Sequence, residues 1–497
     1  MADYLHGAYG FTQALGNKAA VTSKSAIVYV GTAPVHNIEG GAKNVNRPIL
    51  VNNMAEAKKY FGYSDDWASF TLCEAMSVHL DYKGVGPLVL INVFDPTKAA
   101  HKESTGGTAE KTPSNGQIVL TSAKLVYLDS LVIKTQASPA VTKELGVDYS
   151  VKYNADKETI TITELSSGSL GSSPLDLTWD IAKPSGVDAS DVVGSTDGLG
   201  TNTGLYAIKD VYQLTGLIPS YLGAPGFSSD KTVHDAMKTV SLKINGHWDA
   251  YMFTDLPLKN GGTDLTLDTI AAYKASNGFN ADNETVYFPL AEGVDDNIYH
   301  LSVLAAANFQ TLLSEQEGIP YKSASNTDCD VIRNLYLGAS NTGKVYDDTL
   351  INNKLNKNGI ASAAYVGGRW AIWGAHSASY NQSDANQVNV SETNRMMLYY
   401  ISNDFQHRRP PNVDKPMTRN DLLTIVAEEQ SRLDALRKTG ALIYGQAKLD
   451  AIEVPSSDIM GDYAFTFEVT VTPLAKSLTA VVNWTDEGFV TYYESLA

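Results

Sequence analysis

Apolar positions change rhythm along the chain, and each rhythm predicts a different kind of element. Ser25 to Gly31 (Ser-Ala-Ile-Val-Tyr-Val-Gly) is a β-branched run closed by turn residues, which predicts a buried strand. Asn53 to Phe61 predicts a helix with Asn53 as N-cap and Gly62 as its stop, and a second helix is expected from about Trp67 to Tyr82. Leu88 to Phe94 then reads as a second buried strand, so the chain opens in the α/β manner. From Thr97 to about residue 204 the texture turns to Thr, Ser, Gly and Lys with short alternating runs. Val147, Tyr149, Val151 and Tyr153, a turn at Asn154, then Ile160 and Ile162 predict a β-hairpin there. Past Tyr206 the α/β texture resumes, with a helix near Thr232 to Leu242, a strand at Ala250 to Phe253 and a core helix at Leu301 to Leu313.

The last block holds the clearest helix. From Thr418 to Thr439, Leu422, Ile425, Val426, Leu433 and Leu436 share a face, Thr418 and Asp421 form a capping pair, Gly440 is the stop, and Glu428 and Arg432 stand at i,i+4. Tyr463, Phe465, Phe467, Val469 and Val471 alternate as a strand. Leu478, Ala480, Val482 and Trp484 repeat that alternation, and after the turn at Asp486-Glu487-Gly488 a final strand is expected from Phe489 to Tyr493. Such a terminal strand either closes its own sheet or adds to the edge of another molecule.

Length sets the scale: 497 residues imply about three domains. The expected organisation is a multidomain α/β (α+β) chain with an arm at 1–18, a discontinuous α/β core at 19–96 and 205–366, an inserted mostly-β domain at 97–204, a C-terminal domain at 367–475 and arm strands at 476–497. Hydrophobic residues are 43% and charged residues 19%, a globular composition. The net charge of −17, from 38 basic and 55 acidic residues, opposes nonspecific attraction to nucleic acid or anionic lipid. Cys73 and Cys329 alone cannot build a disulfide framework or a cysteine zinc site, and both are expected as buried apolar side chains. Neither a signal peptide nor an uninterrupted apolar stretch of about 18 residues is found, so no membrane insertion is expected.

Chemical motifs are sparse. Gly338-Ala-Ser-Asn-Thr-Gly343-Lys344-Val345 fits a phosphate-binding loop except at Val345, which has no hydroxyl for Mg²⁺, and Asp347-Asp348 follow where an apolar helix should begin. A loop is the better reading. The nine histidines show no metal-ligand spacing, and no nucleophile elbow or dinucleotide fingerprint occurs. His407-Arg408-Arg409 beside Asp404 could clamp an acidic partner, although such clusters are more often intramolecular ion pairs. No catalytic residue, metal or cofactor is expected.

The ordered segments nevertheless form a pattern: Ser25 to Pro34, Pro48 to Val51, Lys59-Tyr60-Phe61-Gly62, Gly86 to Val93, Leu222-Gly-Ala-Pro225-Gly226, Thr254-Asp255-Leu-Pro257, Gly318-Ile-Pro320, Leu355-Asn356, Gly359-Ile360 and Trp373-Gly374. In this order the chain resembles the contractile tail sheath proteins of myovirus-like phages and phage-tail-like particles such as bacteriocins. Lys322 to Asn326 and Trp373 to His376 are looser versions of their segments.

The resemblance implies a non-enzymatic structural subunit that polymerises as rings in a helical sheath around a tail tube. It implies contacts with tube, baseplate and tail terminator proteins but no direct contact with nucleic acid. Contraction then drives the tube through the host envelope, and the particle assembles in the bacterial cytoplasm. It further implies strand-adding arms, with Tyr4, Leu5, Tyr9 and Phe11 at the N-terminus and Leu478, Ala480, Val482, Trp484, Phe489 and Tyr492 at the C-terminus. By the same analogy, the Thr418 to Thr439 helix faces the tube through Glu428, Arg432, Arg437 and Lys438, and the block at 97–204 faces outward. The competing reading is a soluble hydrolase with a β-sandwich appendage. A surface-layer or adhesion protein would require the signal peptide that is not found.

Overall fold

The computed structural model describes residues 25–155, 157–197, 199–338, 346–383, 390–450 and 461–495. The chain divides into two compact units, Met1–Lys415 and Pro416–Ala497.

The first unit opens with β1 (Ser25–Gly31), β2 (Ile49–Val51), α1 (Met54–Phe61), α2 (Thr71–Met76) and β3 (Leu88–Asn92). Seven strands follow: β4 (Lys102–Lys111), β5 (Gln117–Leu120), β6 (Val132–Thr135), β7 (Thr142–Lys143), β8 (Tyr149–Asn154), β9 (Thr159–Glu164) and β10 (Leu175–Ala182). Next come α3 (Ala189–Val193), α4 (Val211–Thr215), β11 (Ile218–Gly223), α5 (Lys231–Val240), β12 (Tyr251–Asp255), the short hairpin β13 (Lys259–Asn260) and β14 (Thr263–Asp264), α6 (Ile270–Asn277) and β15 (Glu284–Tyr287). β16 (Leu290–Gly293), β17 (Ile298–Tyr299), α7 (Leu301–Glu315), β18 (Ile332–Tyr336), α8 (Asp348–Lys354), β19 (Ile360–Val366), β20 (Arg369–Trp373) and α9 (Glu392–Arg408) complete it.

Its main sheet has the order β2-β3-β1-β11-β12-β15-β19-β20. The six inner strands run parallel, while β2 and β20 are antiparallel to their neighbours. Ile27 and Tyr29 of β1 enter one apolar core, and Ala26, Val28 and Val30 enter another on the opposite face. A parallel sheet covered on both faces needs this unbroken apolar run. Local signals held where they were strongest. The Asn53 side chain accepts from Glu56 N at the start of α1, and Gly62 stops the helix with φ 73°. The second expected helix starts late, at Thr71, because Asp66 closes a turn that takes Ser69 N and Phe70 N. β3 ends at Asn92, whose side chain accepts from Ala33 N and Phe94 N and leads the chain out of the sheet.

Residues 102–182 form two small sheets, β4-β10-β6-β7 and β5-β9-β8. Ile118, Leu120, Ile133, Tyr149, Ile160, Ile162, Leu175 and Leu177 give them a shared core. The expected hairpin is β8 against β9; Val147 precedes it and is exposed. The two ends of this block meet where Lys183 N bonds His101 O at 2.7 Å. His36 Nε2 and Asn37 Nδ2 donate to Lys124 O, and Gly40 N donates to Asp129, which ties the block to the loop after β1. Residues 367–415, expected with the C-terminal block, are part of the first unit, since β20 pairs with β19 along its whole length.

The second unit contains α10 (Arg419–Lys438), an antiparallel pair of β21 (Leu442–Leu449) and β22 (Phe465–Val471), and α11 (Glu487–Glu494). Here the structure departs from the expected terminal strands. Residues 472–485 make no strand ladder, and the segment expected as a strand at 489–493 is the helix α11. An alternating segment becomes a strand only where another strand takes its backbone bonds. None of the described residues does so here.

Candidate assembly surface in the C-terminal unit

α10 begins with a reciprocal cap in which Thr418 Oγ1 accepts from Asp421 N and Asp421 Oδ2 accepts from Thr418 N. Leu422, Ile425, Leu433 and Leu436 are buried; Val426, expected on the same face, is half-buried. A Cβ at Gly445 would sit 3.0 Å from Leu433 Cβ, so the absent side chain lets α10 approach β21 closely. On the other side of the hairpin the surface is polar, with Lys448 Nζ and Glu468 Oε2 2.8 Å apart. Gln430 reaches from α10 to β21: its Oε1 accepts from Ala447 N at 2.9 Å and its Nε2 donates to Gly445 O at 3.1 Å.

The four residues expected to face a tube are all exposed, but they do not form one stripe. At 3.6 residues per turn, Glu428 and Arg432 share one flank, Arg437 lies on the other, and Lys438 points away from the core face. Arg437 also pairs with Asp434 at 3.2 Å.

Beyond β22 the apolar side chains stand in solvent. Leu478 and Val482 are 92% exposed and Trp484 80% exposed, and Phe489, Tyr492 and Tyr493 are more than half exposed. Three of these aromatics form a loose ladder, Trp484 to Phe489 to Tyr493, with centroids 6.5 and 6.4 Å apart. A run of uncovered apolar residues of this kind marks an interaction surface. Tyr4, Leu5, Tyr9 and Phe11, together with most of the phosphate-loop-like segment (339–345), lie outside the described residues.

Groups with chemical potential elsewhere are engaged within the fold. Arg408 pairs with Asp404 at 3.0 Å, and His407 Nδ1 lies 3.1 Å from Tyr212 OH, so this basic cluster is intramolecular. Burial pushes the Cys73 and Cys329 thiols up to about 12. No metal-holding group of His, Cys, Asp and Glu occurs among the described residues, and none of their helices is long and apolar enough to cross a membrane. A cavity beside Ser25, Tyr251, Met396 and Asn403 has a volume of about 10 Å³, enough for one water and no substrate.

Sequence reasoning missed a buried polar cluster at the amino end of α7. Glu74 accepts from His300 N and contacts His300 Nδ1, both at 2.6 Å, while Asp255 accepts from Ser302 N at 3.1 Å. Two carboxylates thus cap a helix whose first turn is buried. Burial disfavours charge on His300, but Glu74 and Asp255 outweigh it and hold the imidazole up at about 9. These residues come from three distant segments, and no local spacing announces them.

No family model matches the chain. Over 509 aligned residues it is 26% identical to the tail sheath protein of Burkholderia phage BcepMu, covering 99% of this chain and 98% of that protein. The chain is thus similar to that tail sheath protein along its whole length. Three solved structures share the fold along nearly the whole length. The sheath of the extracellular contractile injection system PVC in its contracted state has a TM-score of 0.52 at 9% identity, over 98% of this chain and 99% of that one. The contracted helical sheath of the anti-feeding prophage has a TM-score of 0.51 at 12% identity, over 97% and 100%. The sheath tail protein of Desulfitobacterium hafniense has a TM-score of 0.50 at 9% identity, over 93% and 100%. The phage protein and the three solved structures are all sheath proteins, and the whole-length likeness to the first supports a structural sheath role.

Proposed function

We propose that this protein is the subunit of a contractile tail sheath. Copies polymerise as rings stacked around a tail tube, end on baseplate and terminator proteins, and contract to drive the tube through a host envelope. The exposed apolar segment from Leu478 to Tyr493 is the observation that carries this reading, because in the isolated chain it has no covering surface. Alternation in Leu478, Ala480, Val482 and Trp484 suits addition to the sheet of a second copy, where backbone bonds of about 0.5 to 1.5 kcal/mol each are repeated at every subunit. Laid antiparallel on β21, the segment carries α11 to the Leu442 end of that strand. Ile443 and Tyr444 are exposed there, and Arg437 and Lys438 end α10 nearby, facing a helix whose own charges are Glu487 and Glu494. In this reading the core is discontinuous in sequence, α10 supplies tube contacts, and the block of residues 102–182 faces outward.

A disulfide trap tests the exchange. One chain carries Val482→Cys and another Tyr444→Cys; the native cysteines are buried and do not interfere. Cross-linked dimers are expected from the mixture under assembly conditions and not from either chain alone. Their absence in sedimenting polymer would remove arm exchange from the proposal.

A further inference from the structure

In an antiparallel pair the N–H and C=O of one residue point to the same side, and successive residues alternate sides. Gly445 O and Ala447 N bond Gln430, so these groups lie on the margin of β21 that faces away from β22. A carbonyl and an N–H two residues apart are the groups that one residue of an added parallel strand, or two residues of an added antiparallel strand, would bond. The Gln430 amide therefore holds two backbone groups that a third strand would need. Its Nε2 also lies 3.2 Å from Asp434 Oδ1, one turn further along α10, so the amide has a second partner if it leaves the strand.

We propose that Gln430 is a latch on the β21 margin. It closes the edge in the unassembled chain and swings to Asp434 when the Leu478 to Trp484 segment of a second copy takes its place. This rests on the arm-exchange reading above. An incoming strand in either direction needs the Gly445 carbonyl and the Ala447 N–H, and it cannot have them while Gln430 does. Unpaired strand edges invite uncontrolled pairing, and a side chain that caps one until a partner arrives restrains premature polymerisation.

The test uses the full chain with Gln430→Met, which keeps length and packing but makes neither bond, and Gln430→Glu, which keeps only the acceptor. Amide hydrogen exchange at Ala447 in unassembled protein is expected to quicken about fivefold in Gln430→Met, with a smaller rise in Gln430→Glu. Nucleation of polymer, followed by light scattering, is expected to quicken about tenfold in Gln430→Met. In a chain ending at Pro473 the exchange effect should persist and the nucleation effect vanish. Unchanged exchange at Ala447 would show that no latch exists, and faster exchange with unchanged nucleation would show that the neighbour does not enter at this margin; either overturns the proposal. If the full and shortened chains polymerise alike whatever stands at 430, it is the arm-exchange reading that fails.

Discussion

Trp484→Ala separates an assembly role from a folding role. Trp484 is 80% exposed, and its ring contact is Phe489 at a centroid distance of 6.5 Å. Burying a large apolar side chain fully is worth about 1.5 to 3 kcal/mol, and with four fifths of this one still uncovered, docking on a neighbour should gain about 2 kcal/mol from it. Since 1.4 kcal/mol is a factor of ten, the variant should raise the critical concentration for sheath polymer about thirtyfold. The isolated fold loses almost no buried area, so its Tm should move by less than about 1 °C. Pelleting across a dilution series and thermal unfolding of unassembled protein read the two quantities. A critical concentration within about twofold of the parent chain would refute the reasoning, because Trp484 would then remain in solvent in the polymer.

Three further outcomes follow from the first unit. His300 is held up at about 9, above its unfolded value of about 6.5, so the stability it contributes is complete below pH 6.5 and is lost as pH rises through about 9. The loss is at most about 3 kcal/mol, and Glu74→Gln should flatten this part of the stability profile measured by urea unfolding. On the acid side burial holds His36 and His79 down at about 4, so stability should fall between pH 6.5 and 4 as the unfolded chain alone takes up these protons. Removing residues 102–182 and joining His101 to Lys183 should leave a folded core that still polymerises, with a Tm lowered by a few degrees through the lost bonds to Lys124 and Asp129. Loss of polymer in electron micrographs of that chain, with the core still folded, would mean that the block is part of the lattice.

What could be read from sequence was whatever neighbours in sequence decide. The β-branched run of β1, the Asn53 cap of α1, the Thr418–Asp421 box of α10 and the alternation of β22 each carry their own instruction, and each appears as expected. The helix at 487–494 was misread because its apolar residues suit either period, and nothing in the described chain pairs with it as a strand. Glu74, Asp255 and His300 were invisible because they meet only after β12, α2 and α7 have packed. Gln430 was invisible for a related reason: on a helix it is an ordinary polar residue, and its meaning depends on the backbone of β21 across from it. The boundary at Lys415 was missed because β20 looks like the start of a new block until it is seen lying beside β19.

The central claim is that this chain builds a sheath and that its C-terminal segment links one copy to the next. Negative-stain electron microscopy of the full chain beside a chain ending at Pro473, each with and without tail tube protein, tests it most directly. Tubes or stacked rings from the full chain, absent from the shortened one although both remain folded, are the result this account predicts. Discrete small particles from the full chain under every condition, or equal polymer from both chains, would contradict it.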